Sequence, residues 1–268
     1  MEIFWININK LNYKKFLSEI TKFEEKNIIF TPNPEILLKT TDNKKFKSLI
    51  KKASYLTPDW IWLFLAFQII DSNSKLLSII LLPYYFFNII FRKNYLYKKY
   101  WDRICWSDLT KDLLDVSSNQ KIKITILDLY IPEDKNKVIS QKTFKKDLEA
   151  KYSNLEFDYF IYNPDKKDEI INKIKTSKSK ILFSTLWMQK QEESIIEIMK
   201  ECNNIKLWLW IWSSFDYIIW FQKRAPKLWR TFWIEWLYRL LTGPQKINRL
   251  KRLYNAIFVF IFQIIKNK

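Results

Sequence analysis

Apolar residues fall in short runs closed by turn-forming residues, and segments with helical spacing follow the runs. Residues 3–8 read as one short strand and 13–26 as a helix. NIIF (Asn27–Phe30) is a buried-strand run ending in TPNPE, which places Asn33 as the N-cap of the next helix and Pro34 in its first turn. A polar helix over 43–52, a short strand in SYLTPD ending at Asp59 and the helix IWLFLAFQII come next. Strands are then expected over 121–129, 155–162, 180–185 and 205–211, with helices over 135–151, 166–177 and 190–202 between them. Strands alternating with helices of about 10–15 residues indicate an α/β fold: a Rossmann-like, mostly parallel sheet flanked by helices. Such sheets bind ligands beyond the carboxyl ends of their strands. TPNPE, TPDW and SSFD all fall there, and no internal repeat is evident.

Two segments leave this rhythm. Residues 76–91 (LLSIILLPYYFFNIIF) are almost wholly apolar and are flanked by Lys75, Arg92, Lys93, Lys98 and Lys99. The run falls short of the roughly 20 residues that span a bilayer, and Pro83 interrupts it. An interfacial or re-entrant hairpin and a buried core helix both fit. In the tail, 246–268, Arg249, Lys251 and Arg252 precede AIFVFIFQIIK. A basic stretch joined to an apolar helix suits an anionic membrane surface; a terminal helix packed on its own domain is the alternative. The expected organisation is an α/β domain over 1–242, with an apolar insertion at about 72–101, and a helical membrane-associating appendage over 243–268.

Composition narrows the chemistry. Lys and Arg number 46 against 28 Asp and Glu, a net charge of +18, which favours anionic partners. The absence of His removes histidine bases, Ser-His triads and His-rich zinc sites. Cys105 and Cys202 are too few for a disulfide framework. With no leader pattern at the N-terminus, a reduced, cytoplasmic chain is expected. The largest anomaly is one Gly beside 13 Trp, where a chain of this length carries about 19 glycines.

TPNPE, TPDWIW, DRICWSDLT, KQE and KRAPKLWRTFWIEWLYRLL resemble the motifs of the WecG/TagA/CpsF glycosyltransferase family. Its members typically read TPNPE, TPDGIG, ERVTGSDL, GLGxPKQE and GVGGxFDFxxGxxKRAPxxxxxxGLEWLYRLL. The likeness runs from about Trp5 to Arg252. Against that pattern Trp60, Trp62, Trp106, Trp187, Trp210, Trp212, Trp220 and Trp233 stand where the family has glycine. Trp5 and Trp208 join them, Trp236 matches a family tryptophan, and Trp101 and Trp229 fit either reading. One cause accounts for all of these: UGA codons that mean glycine in the source, read as tryptophan. A lineage that truly exchanged glycine for Trp would have to overpack each site, at about 1–3 kcal/mol apiece.

The resemblance implies an inverting transferase. It would move an N-acetylmannosamine-type sugar from a UDP donor to a polyprenyl-diphosphate-linked N-acetylglucosamine, without a metal or other cofactor. Such an enzyme would work peripherally on the inner face of the cell membrane. Asp59 matches the family's catalytic carboxylate; capping the next helix is its other reading. Thr31 and Asn33 match pocket-lining positions. Arg103 and Asp108 in DRICWSDL, Gln191 in KQE and Asp216 in SSFD are candidate substrate contacts, though Asp108 also fits a helix cap. Arg239, Arg249 and Arg252 match the family's C-terminal arginines, suited to phosphate oxygens or to a basic membrane patch. ILDLYIPED, EFDYFIYN and LWMQKQE depart from the family pattern and leave donor contacts open. A non-enzymatic or inactive binder of membranes or nucleic acid is the alternative. Nucleic acid is the weaker partner, since its stacking platform would consist of tryptophans that are misread glycines.

Overall fold

The computed structural model describes the chain except residues 130–134, 187–189, 212–214, 216, 217, 219–224 and 243–245. Of residues 129, 135–140, 190–192, 194, 239, 246, 248 and 249 it describes the backbone alone.

A hairpin of β1 (Glu2–Ile3) and β2 (Ile6–Asn7) opens the chain. There follow α1 (Tyr13–Ile20), β3 (Asn27–Phe30), α2 (Pro34–Asp42), α3 (Lys44–Ile50), β4 (Tyr55–Leu56) and α4 (Ile61–Asp71). The apolar insertion forms α5 (Lys75–Ile80), α6 (Leu82–Phe91) and α7 (Lys93–Tyr100). Next come α8 (Trp106–Gln120), β5 (Ile124–Leu129), α9 (Lys135–Lys151), β6 (Phe157–Tyr162), α10 (Lys167–Thr176), β7 (Ile181–Ser184), α11 (Lys190–Glu201) and β8 (Leu207–Trp210). The described C-terminal part holds α12 (Lys227–Thr231), α13 (Glu235–Thr242), α14 (Lys246–Tyr254), a π-helical turn (Asn255–Val259) and α15 (Phe260–Asn267).

The six main strands form one sheet in the order β4-β3-β8-β7-β5-β6, and every pairing is parallel. Alternating residues divide the core into two layers. Ile28, Phe30, Leu127, Leu182, Trp208 and Trp210 face α2, α3, α4, α10, α11 and α15. Ile29, Ile126, Ile181, Phe183, Leu207 and Leu209 face α1, α8 and α9. With both faces covered, the strands read as continuous apolar runs, as parallel strands do. The chain leaves β3 toward the edge strand β4 and reaches β8 from the opposite side. The crevice above β3 and β8 is thus a topological switch point, the usual ligand position in an open α/β sheet.

Some predicted elements need correction. Residues 3–8 form a hairpin instead of one strand, with Ile3 opposite Ile6. The two turn residues, Phe4 and Trp5, have φ of 51° and 62°, the turn that Asn-Gly normally makes. The first helix ends at Ile20, because Phe23 turns left-handed (φ 56°) and Asn27 N–H donates to Lys206 O at 2.8 Å, returning the chain to the sheet. Helix α8, absent from the strand–helix alternation read above, buries Leu109, Leu113 and Leu114 and ends at left-handed Lys121.

In the tail, Phe260, Ile261 and Ile264 are buried in the core, and Lys75 Nζ donates to Lys266 O at 2.8 Å. The inner face of the terminal helix therefore packs on the α/β body rather than standing apart from it. Among the described residues no helix is long and apolar enough to cross a membrane.

Candidate active site

Strands β3 and β4 end side by side, and Thr57 N–H extends their pairing by donating to Phe30 O at 3.0 Å. Thr31 and Thr57 follow the two strands. Both are buried, and neither hydroxyl has a hydrogen-bond partner among the described residues. Buried hydroxyls are nearly always satisfied, so these two at adjacent strand ends have room for a hydrogen bond to a group outside the described residues. Asn33 caps α2, its Oδ1 accepting from Ile36 N at 2.8 Å; that accounts for Asn33 Oδ1 without a ligand.

Asp59 lies just beyond β4 and is 3% exposed. It does not cap α4: the capping position is Trp60, which makes no side-chain cap bond. Its carboxylate instead meets Arg103, with Nη2 3.3 Å from Oδ1, while Arg103 Nε donates to the Asp59 main-chain oxygen. One guanidinium therefore fixes both the backbone and the side chain of this residue. Burial lifts the Asp59 pKa above the ordinary carboxylate range; Arg103 pulls it down, Glu235 pushes it up, and a hydrogen bond from Cys105 lowers it. Burial works against the Arg103 charge, but Asp59, with Cys105 and Glu235, raises its pKa overall. Burial also pushes the Cys105 thiol up to about 12, which keeps it protonated and unfit as a nucleophile.

Aromatic rings crowd this pocket. Trp233 packs against Arg103 and Lys93, with Cζ 5.3 Å and Nζ 5.1 Å from its ring, and lies 5.1 Å from the Phe64 ring. Trp62 lies 5.6 Å from Trp236, and Trp106 5.7 Å from Trp210. The indole nitrogens of Trp62, Trp208 and Trp236 are buried with no acceptor among the described residues, at about 1–3 kcal/mol each. Burial, with Arg103 adding to it, lowers the Lys93 pKa to about 8.

Of the candidates read from sequence, Thr31, Asp59 and Arg103 converge here. Asp108 is exposed in the first turn of α8 and is not its N-cap, which is Cys105. Arg252 Nε lies 3.7 Å from Glu35 Oε1, bringing α14 to the start of α2. Asp216 lies outside the described residues, as do the side chains of Gln191 on α11, Arg239 on α13 and Arg249 on α14. Sequence reading missed Thr57, Lys93, Cys105 and Glu235. Thr57, Cys105 and Glu235 stood within TPD, DRICWSDLT and EWLYRLL, and Lys93 was noted only as a charge flanking the apolar run. In the departing segment ILDLYIPED, Asp128 is buried and accepts from Tyr159 and Gln141, at 2.7 and 3.1 Å, and from Thr185.

A parallel sheet with a switch-point crevice, and a buried carboxylate–guanidinium pair at its carboxyl edge, is an arrangement suited to group transfer from a nucleotide-activated donor. The family model described as "Glycosyl transferase WecG/TagA/CpsF family" matches residues 88–268. That span contains Arg103 and Glu235, and the fold brings Asp59, from before it, onto Arg103. The chain belongs to the WecG/TagA/CpsF glycosyltransferase family.

Proposed function

We infer from membership that this glycosyltransferase serves cell-surface polysaccharide synthesis, using a sugar-nucleotide donor and a lipid-linked acceptor. We propose that it transfers an N-acetylmannosamine-type sugar from UDP to a polyprenyl-diphosphate-linked N-acetylglucosamine, with inversion and without a metal. Asp59 takes the proton of the acceptor hydroxyl as that oxygen bonds to the anomeric carbon. The bond from that carbon to UDP breaks, and the diphosphate leaves with the electron pair. Arg103 holds Asp59 in place, the Thr31 and Thr57 hydroxyls meet donor or acceptor oxygens, and the C-terminal arginines meet the diphosphate charge. The observation that carries this reading is the buried Asp59–Arg103 pair beside two unsatisfied threonine hydroxyls. Incubation with UDP-N-acetylmannosamine and a lipid-diphosphate N-acetylglucosamine acceptor tests it. Transfer with inverted anomeric configuration is expected; hydrolysis alone, or no turnover with either substrate varied, counts against it.

The proposal extends to the residues themselves: the working protein carries glycine at the family's glycine positions. Backbone geometry supports this. Trp101 has φ 75° and ψ −176°, a region occupied essentially by glycine alone. Trp233 is also left-handed, with φ 59°. Trp101 thereby joins the glycine set, whereas Trp229 sits inside α12 with its ring 5.6 Å from Tyr238 and is read as genuine. A chain that truly bore the indoles would be the inactive relative, since Trp233 packs over Arg103 and Trp106 against Trp210 at the end of β8. UGG codons at Trp60, Trp106 and Trp212 in the source DNA would overturn the glycine assignment.

The electrostatics set a pH dependence. Burial raises the pKa of Asp59, and a base works only when deprotonated. Transfer should therefore fall as pH drops through that raised pKa, on a limb above the ordinary value of about 4. Arg103→Ala removes the lowering charge, so the limb should move to higher pH while the maximal rate also drops. A limb that stays in place in that variant would dissociate Arg103 from the base.

A further inference from the structure

Helices α5 and α6 present their faces in the reverse of the soluble pattern. Ser78 and Asn88 are buried on the inner side, beside Tyr85 and Ile89. Ser78 Oγ donates to Ser74 O at 2.8 Å, and Asn88 Nδ2 to Gln68 Oε1 on α4 at 2.8 Å. Gln68 Nε2 in turn donates to Phe64 O and Tyr85 O, at 3.2 and 3.3 Å. Outward, Leu76, Ile79, Ile80, Tyr84, Phe87 and Phe91 are exposed, with Leu76 at 69% and Ile80 and Phe91 at 63%. Polar groups turned inward and apolar groups turned outward are what a lipid-facing helix shows. The buried amide pair fixes α6 on α4, and Ser78 Oγ of α5 donates to Ile69 O of α4 at 3.4 Å, so the outer ridge is presented by a fixed scaffold.

The ridge is continuous with its surroundings at both ends. Helix α15 lies against α5 through the Lys75–Lys266 bond, and its own outer side carries Phe258, from the preceding π turn, and Phe262, both more than 60% exposed. At the other end, the Phe91 ring is 6.4 Å from Phe232, next to Trp233 over Arg103. The apolar surface thus runs from the tail to the edge of the active-site crevice. Its charge is one-sided. Residues 75–101 contain Lys75, Arg92, Lys93, Lys98 and Lys99 with no Asp or Glu, and 246–268 likewise hold only basic charges. Lys99 is paired with Asp71 at 3.0 Å. Joining two copies through this surface would oppose like charges, whereas an anionic leaflet complements them.

We propose that the outer ridge of α5 and α6, together with Phe258 and Phe262, is a membrane-docking face that inserts shallowly into an anionic lipid surface and sets the crevice at the headgroup level. The breaks between the short helices rule out a span and suit an interfacial wedge. The docking goes beyond the basic tail by assigning the insertion its own lipid contact. It rests on the transferase reading only for the acceptor's arrival from a bilayer.

Sedimentation of the chain, with glycine restored at the misread positions, with vesicles of equal phosphatidylglycerol and phosphatidylcholine tests it, beside vesicles of phosphatidylcholine alone. Binding to the anionic vesicles that weakens with salt is expected, and Ile80→Asp with Phe87→Asp should weaken it at least tenfold. Ile161→Asp, an exposed apolar site on the far edge strand β6, should leave it unchanged. Circular dichroism confirms folding of each variant. Equal vesicle binding by the double variant overturns the proposal. So does a parent chain that ignores vesicles but forms dimers which the same substitutions dissociate, since a second copy is then the occupant. Transfer to a short-chain, water-soluble acceptor without vesicles reads the transferase separately: it should survive in the double variant, and its absence in the parent strikes the enzyme reading alone.

Discussion

Asp59→Asn should abolish sugar transfer, by about 10²–10⁴-fold in kcat, the usual contribution of a positioned general base, while leaving the protein folded. The amide keeps an acceptor for Arg103 Nη2, and the bond from Arg103 Nε to the main-chain oxygen does not involve the side chain at all. Linkage supports retained stability. A carboxylate whose folded pKa is raised contributes stability below its unfolded pKa and loses it as pH climbs through the folded value. Above that window the ionised form is the costly one, so replacing it by a neutral isostere removes a burden. Donor affinity, measured as UDP-sugar binding by calorimetry, should change little. Loss of rate with intact folding and intact donor binding is the signature of the base. Undiminished transfer would remove Asp59 from the mechanism, and joint loss of rate, binding and melting transition would make it a structural residue.

The second large effect concerns the indoles. If Trp62 were a native core residue, Trp62→Gly would cost at least the roughly 3–5 kcal/mol of a Trp→Ala truncation. If it is a misread glycine, restoring glycine across the set should act in the opposite direction. The set comprises 13 tryptophans less Trp229 and Trp236, or eleven positions. Left-handed backbone at Trp5, Trp101 and Trp233 costs about 1–2 kcal/mol per L-residue, and unsatisfied indole nitrogens at Trp62 and Trp208 add to it. Summed, these rival a typical net stability of about 5–15 kcal/mol. Side-by-side expression should give a soluble, cooperatively melting, active protein from the glycine version alone. A stable, active tryptophan version would show that the indoles are native and that the crevice must be described with them in place.

The sheet was legible because both of its faces are covered, so each strand announces itself as an apolar run, and the strand ends then locate TPNPE and TPDW. The hairpin was not legible, since Phe4 and Trp5 erase the Asn-Gly signature that its turn would otherwise carry. Asp59 and Arg103 could each be picked from their motifs, but their pairing could not, because the two are 44 residues apart and only the packing of the insertion brings them together. The same holds for Glu235, whose charge reaches Asp59 across the fold. Of the tail's two readings, packing on its own domain is the one the structure describes: Phe260 and Ile264 pack inward, while Phe262 remains outside.

The ridge of α6 that ends at Phe91 beside Phe232 carries a kinetic consequence. An enzyme seated there searches for its acceptor by lateral diffusion in two dimensions, and the carrier lipid need never leave the leaflet. Turnover would then follow the mole fraction of acceptor in the surface instead of its concentration in the bulk. Diluting a fixed amount of acceptor with plain anionic lipid should slow the enzyme, even though nothing in the aqueous phase has changed.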